Sequence, residues 1–174
     1  MSVLNYDILL DNIKRIHFIG IGGSGMCPLA EILNSEGYQL SGSDMNEGET
    51  LDRIKGYGIP VYMGHRAENI DGAELVVYSA AIKEDNPERK AAVEQGIPCI
   101  ERSVMLGVVT RRYKKALLTI NDRATDMCRL SLLDGKEAKS STRAVIEKLK
   151  PNEPRENSVY LLFSNAVLPV LRPE

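Results

Sequence analysis

The sequence has no long apolar run, no marked excess of either charge and no cluster of cysteines. No apolar stretch approaches the roughly 20 residues that span a bilayer, which argues against a membrane role. The formal net charge is −2, so no global basic field is present to draw nucleic acid. The three cysteines, Cys27, Cys99 and Cys128, are far apart and odd in number, with neither a disulfide framework nor paired metal-ligand spacing. They read as buried free thiols. The opening segment, MSVLNYDILLDNIKR, has acids inside its apolar part and no small-residue cleavage site, so it is not read as a signal peptide and a cytoplasmic protein is expected. At 174 residues the chain has room for one domain of ordinary size, or a domain with an appendage.

What is present is an alternation of short apolar runs and helical patterns. RIHFIG, from Arg15 to Gly20, reads as a buried strand closed by glycine. Met26 to Gly37 fits a helix with Met26, Leu29, Ala30 and Leu33 on one face and Pro28 in its first turn. A strand from Gln39 to Ser43 ends at Asp44, and a helix from Glu49 to Tyr57 stops at Gly58. Short strands come next at Pro60 to Met63, Leu75 to Tyr78 and Pro98 to Ile100, with helices at Pro87 to Gln95 and Ser103 to Arg112. The basic residues Arg111, Arg112, Lys114 and Lys115 suit the solvated C-terminal end of that last helix. This order predicts an α/β fold, a Rossmann-like parallel sheet with helices on both faces, over residues 1–115. Residues 116–174 read as a poorly specified C-terminal tail of unknown fold, expected to be loose or irregular. LLTI and SVYLLF within it are strand-like, Ser141 to Leu149 could form a helix, and Pro169 and Pro173 break the final stretch.

The stretch HFIGIGGSGMCPLAE carries the chemistry. Gly20, Gly22 and Gly25 match G-x-G-x-x-G between a strand and a helix. In that motif the first glycine turns the chain off the strand, the second admits a pyrophosphate, and the third lets helix and strand pack closely. Free N–H groups at the helix start, with the helix dipole behind them, suit phosphates. Gly23 bares the loop further. Asp44 ends the second strand 19 residues after Gly25, where an acid can accept from ribose hydroxyls. A nicotinamide dinucleotide and a UDP-sugar both offer a pyrophosphate and a ribose, so an NAD(P)-binding redox or sensor module stands as the alternative at this point.

Four blocks, IHFIGIGGSGMCPLAEIL, GSDMNEGETLDRIKGYGIPVYMGHRAENI, ELVVYSAAIKEDNPE and IERSVMLGVVTRRY, together resemble the N-terminal domain of the Mur ligases of peptidoglycan synthesis, in particular the alanine-adding UDP-N-acetylmuramate–L-alanine ligases. The resemblance covers about residues 12–115. It implies a domain that binds UDP-N-acetylmuramate, in enzymes whose central domain binds ATP with Mg²⁺ and whose C-terminal domain binds the amino acid. The loop Gly20, Ile21, Gly22, Gly23, Ser24, Gly25 and Met26 would then hold the diphosphate. Ser43 and Asp44 would meet the ribose or uracil end, and His65, after Gly64, the nucleotide edge. Ser79, Ala80 and Ala81 would face the glycines across the sheet. In the last block Arg102, Met105 and Leu106 match the family's R-A-E-M-L, while Ser103 and Val104 depart from it. No catalytic residue and no metal ligand is assigned. The family's ATP loop has no counterpart, because no G-x-x-x-x-G-K-[ST] occurs in the 174 residues. The chain is therefore expected to bind no cofactor itself and to be inactive alone, as a truncated product or a stand-alone binding domain.

Overall fold

The computed structural model describes residues 10–112, 116–122, 127–133, 157–163 and 166–171. The chain divides into two compact units, Met1–Leu106 and Gly107–Glu174. In the first, five strands form a wholly parallel sheet: β1 (Arg15–Ile19), β2 (Gln39–Asp44), β3 (Val61–Met63), β4 (Leu75–Tyr78) and β5 (Cys99–Glu101). Their spatial order is β3-β2-β1-β4-β5. Helices α1 (Cys27–Ser35), α2 (Glu49–Gly56) and α3 (Pro87–Glu94) and a 3-10 turn (Ala67–Ile70) connect them, and α4 (Arg102–Arg112) comes after β5. The predicted Rossmann-like sheet is the one observed, with element ends shifted by a residue or two. The short 3-10 turn has no periodic apolar signal and was not predicted.

The order reverses at β1, so the neighbours β2 and β4 are reached by connections leaving in opposite directions. That switch point opens a crevice beyond the carboxyl ends of the strands. Strands β1 and β4, at the centre of the sheet, are short and apolar because both of their faces are covered. Ile16, Phe18 and Ile19 of β1 and Leu75, Val76 and Val77 of β4 are all buried. On one face, Ile19 and Val76 pack with Ile70 of the 3-10 turn and Ala91 and Ala92 of α3. Met26 and Met105 are buried, as their helical spacing suggests. Between α1 and α2, Arg53 pairs with Glu31 at 2.7 Å and its Nη2 lies 3.0 Å from Cys27 Sγ. Burial pushes the Cys27 thiol up to about 11, so it stays protonated near neutrality. Cys99 is half-buried, and the side chain of Cys128 lies outside the described residues.

The second unit departs from the expected irregular tail. Strands β6 (Ala116–Asp122), β7 (Met127–Leu133), β8 (Asn157–Phe163) and β9 (Ala166–Leu171) form an antiparallel sheet in the order β7-β6-β8-β9. The two strand-like runs become its inner strands. Pro169 does not break β9, because β9 is an edge strand, where a missing N–H is tolerated. The expected helix at 141–149 lies outside the described residues. Among the described residues no helix is long and apolar enough to cross a membrane.

Candidate functional site

Gly20 leaves β1 at φ +78°, in the left-handed region that favours glycine, and so turns the chain off the strand. The N–H groups of Gly20 and Ile21 both donate to the Ser43 carbonyl, at 2.8 and 3.0 Å, which ties the loop to the end of β2. The Gly22 N–H donates to Asp44 Oδ2 at 2.9 Å, and the Asn46 N–H donates to Oδ1 at 3.0 Å. A Cβ on Gly22 would meet Asp44 Oδ2 and Leu51 Cδ2, both at 2.9 Å. Gly22 therefore makes room for the Asp44 carboxylate and the Leu51 side chain, a different reason for glycine than the pyrophosphate space read from the motif. A Cβ on Gly25 would overlap the Arg102 guanidinium, so the third glycine admits an arginine rather than closing a helix–strand contact. Between Gly20 and Cys27, the N–H groups of Ser24 and Gly25 are the two without an acceptor among the described residues. Those amides sit just before α1, next to the Arg102 cation, in a place suited to an anion.

A crevice of about 370 Å³ lies at the ends of β1, β2 and β4, within the range of small-molecule sites. Gly20, Gly22, Gly23, Asp44, His65, Ser79 and Ala81 line it, together with the Met45–Gly48 loop, Thr50, Leu51 and Ile82. Six other residues read as site residues lie outside this lining. Ile21 and Met26 are buried, with Ile21 closed over Gly42, where a Cβ would meet it at 2.6 Å. Ser43 is buried, Gly25 is covered by Arg102, and Ser24 and Ala80 are exposed. Asp44 spends two acceptor positions on backbone amides, and an ionised carboxylate has about four, so capacity for a sugar hydroxyl remains.

The Ser79 loop is held from α3. The Arg89 guanidinium lies over the Tyr78 ring at 4.0 Å and donates to the Ile82 carbonyl at 2.9 Å. Asn86 caps α3 by accepting from the Glu88 and Arg89 N–H groups at 2.9 and 3.2 Å, with Pro87 in the first turn. That cap sets Glu88 in the first turn, fully buried. Glu88 Oε2 accepts from Ser43 Oγ at 2.6 Å and lies 3.3 Å from His65 Nδ1 and 3.7 Å from His17 Nε2. Oε1 accepts from Asn69 Nδ2 and, at 3.4 Å, from the Arg66 N–H. Burial alone would push the Glu88 carboxyl up, but the contact with His17 and the hydrogen bonds from Ser43 and Asn69 outweigh it and hold the group below its usual range. The sequence reading missed both His17 and Glu88. The available signal was His17 itself, a polar residue inside an otherwise apolar strand.

Residues 15–114 match the profile described as "Mur ligase family, catalytic domain". The chain belongs to the Mur ligase family. Among Mur ligases of known name, it is 49% identical over 105 residues to the UDP-N-acetylmuramate–L-alanine ligase of Alkaliphilus metalliredigens, covering 60% of this chain and 23% of that one. The enzyme of the same name from Persephonella marina is 40% identical over 139 residues, covering 79% and 30%. The crystal structure of UDP-N-acetylmuramate-alanine ligase from Thermotoga maritima superposes with a TM-score of 0.57 at 35% identity, covering 58% of this chain and 24% of that one. The chain thus spans between 23% and 30% of the length of these Mur ligases.

Proposed function

We propose that this chain binds UDP-N-acetylmuramate in the switch-point crevice, as the substrate-binding N-terminal part of an ATP-dependent ligase that adds L-alanine in peptidoglycan synthesis. The observation that carries this reading is the convergence of the glycine loop, Asp44, His65 and the Ser79 loop on one crevice, in a chain 49% identical to a ligase named for that substrate. In this reading the Ser24 and Gly25 amides and Arg102 meet the diphosphate, Asp44 accepts from the ribose, and His65 lies at the nucleotide edge. A nicotinamide dinucleotide would suit the glycine loop equally well, and the likeness to the named ligases weighs against it. Titration with UDP, followed by amide NMR, is expected to move the signals of Gly20, Gly23, Ser24, Gly25, His65 and Ser79. Asp44→Ala is expected to weaken UDP by about 1–3 kcal/mol, the scale of hydrogen bonds to a charged group. Shifts confined to other residues, with unchanged affinity in the Asp44 variant, would place the site elsewhere.

The residues present do not fit ATP and Mg²⁺. The sequence holds no lysine-bearing phosphate loop, and among the described residues no three His, Cys, Asp or Glu side chains could hold a metal ion. Amide formation needs an activated carboxylate, and phosphoryl transfer relies on charge neutralisation by such a loop and its metal. The chain by itself is therefore expected to release no ADP in the presence of ATP, UDP-N-acetylmuramate and L-alanine. A coupled assay on highly purified protein checks this, and alanine-dependent ADP release would contradict it.

A further inference from the structure

A buried polar cluster joins α3 to the crevice, and its proton count is constrained. The groups facing Glu88 are His17 from β1, Ser43 from β2, His65 after β3, and Asn69 and the Arg66 N–H from the 3-10 turn and its approach. An ionised carboxylate has no proton to give, so the single Ser43 hydroxyl proton goes to Glu88 Oε2, 2.6 Å away. Ser43 Oγ is then an acceptor toward His65 Nδ1, at 3.0 Å. The other neighbour of Nδ1, Glu88 Oε2 at 3.3 Å, is also an acceptor. Nδ1 of His65 must carry a proton. In the neutral ring this leaves Nε2 as an acceptor. His65 lines the crevice, and Nε2 has no protein partner among the described residues.

We infer that Glu88, acting through Ser43, is a positioning residue that holds His65 in its Nδ1–H form, so that Nε2 accepts a hydrogen bond from a neutral donor of the bound nucleotide, an imide N–H of the base or a hydroxyl of the sugar. The ligand half of this inference rests on the proposed nucleotide site; the relay half does not. A phosphate oxygen or a base carbonyl, each an acceptor, is a mismatch for this ring. The pairing makes His65 a discriminating group, because a site built to hydrogen-bond a donor leaves its own polar atom unpaired when that donor is missing.

The relay is tested on the full chain without ligand by nitrogen-15 NMR of the imidazole rings. His65 is expected to show a protonated Nδ1 and a bare Nε2. In Glu88→Gln, the amide carbonyl stays with its two donors, Asn69 and the Arg66 N–H, which turns the NH₂ group toward Ser43. Ser43 Oγ then accepts from that NH₂, its own hydroxyl turns to donate to His65 Nδ1, and the ring takes the Nε2–H form with Nδ1 as an acceptor. UDP is expected to bind that variant about tenfold more weakly, the scale of one mismatched hydrogen bond. Calorimetry with UDP, CDP and 2′- and 3′-deoxy-UDP, run on the parent and on His65→Ala, identifies the donor, since the analogue lacking it should lose about tenfold on the parent and nothing further on His65→Ala, whereas a hydroxyl held by Asp44 alone costs the same on both. A parent His65 in the Nε2–H form, or a ring unchanged in a folded Glu88→Gln, overturns the relay. Equal affinity for all four nucleotides, or only losses that are the same on both proteins, overturns the ligand half. If Glu88→Gln does not fold, the parent ring and the analogue series still decide. Nδ1–H with inversion, but no binding of any nucleotide, supports the relay and refutes the nucleotide site.

Discussion

Gly22→Val is expected to abolish measurable nucleotide binding while destabilising the parallel-sheet unit. The first β-carbon alone would stand 2.9 Å from Asp44 Oδ2 and from Leu51 Cδ2, and the two methyl groups of valine add to the conflict. Leu51 is buried and can move only by repacking α2. Asp44 can move, but then the hydrogen bond from the residue 22 N–H is lost and the loop is held to β2 only through Gly20 and Ile21. Overpacking of this kind costs about 1–3 kcal/mol of stability. The displaced carboxylate and loop should raise the dissociation constant for UDP by at least about 100-fold, or about 2.8 kcal/mol. Gly22→Ala should fall between the parent and the valine variant. Calorimetry with UDP, run beside urea denaturation, checks both effects. A valine variant with parental stability and parental affinity would remove Gly22 and Asp44 from the site.

Glu88→Ala is expected to produce the largest loss of stability. The carboxylate is fully buried, and its removal takes away the acceptor shared by the buried Ser43 and His17 and by the partly buried Asn69 and His65. A buried polar group left without its partner costs about 1–3 kcal/mol, and several groups lose theirs at once here, a large share of the 5–15 kcal/mol that ordinary domains possess. The same group gives the stability a pH dependence of definite sign. Its folded carboxyl titrates below the ordinary value of 4.5, so the folded state favours the ionised form. The stabilisation is complete above about pH 4.5 and is lost as the pH falls through the folded value. The gap in urea midpoint between the parent and Glu88→Gln should therefore narrow on acidification below pH 4.5. A Glu88→Ala protein within 1 kcal/mol of the parent at neutral pH would show that the cluster contributes little.

The sheet was legible in the sequence because its signals are local. RIHFIG and LVVY are apolar runs bounded by turn residues, and the helices between strands announce themselves by period and by Pro and Gly at their ends. The crevice was legible for the same reason: G-x-G-x-x-G after a strand and an acid after the next strand fix two sides of the switch point. The division of labour inside the loop was not legible. That Gly22 accommodates Asp44 and Gly25 accommodates Arg102 depends on residues brought near by folding. The Glu88 cluster draws on β1, β2, the segment after β3 and α3, and no spacing rule links those positions. In the C-terminal unit, Cys128, Leu130 and Leu132 alternate with Arg129 and Ser131, a period of two over a run too short to distinguish from chance. Pro169 read as a breaker because its tolerance depends on β9 being at an edge, which is a property of the assembled sheet.

The central claim is that the crevice takes a uridine diphosphate sugar rather than a nicotinamide dinucleotide. Calorimetric titration of the purified chain with UDP-N-acetylmuramate and, separately, with NADH tests it most directly. The account predicts heat and saturation with UDP-N-acetylmuramate, weaker binding of UDP alone, and still weaker binding of NADH. Absolute affinity should be modest if other domains contribute contacts in longer relatives, because those contacts would add binding energy without altering this crevice. NADH bound tenfold more tightly than UDP-N-acetylmuramate would contradict the claim.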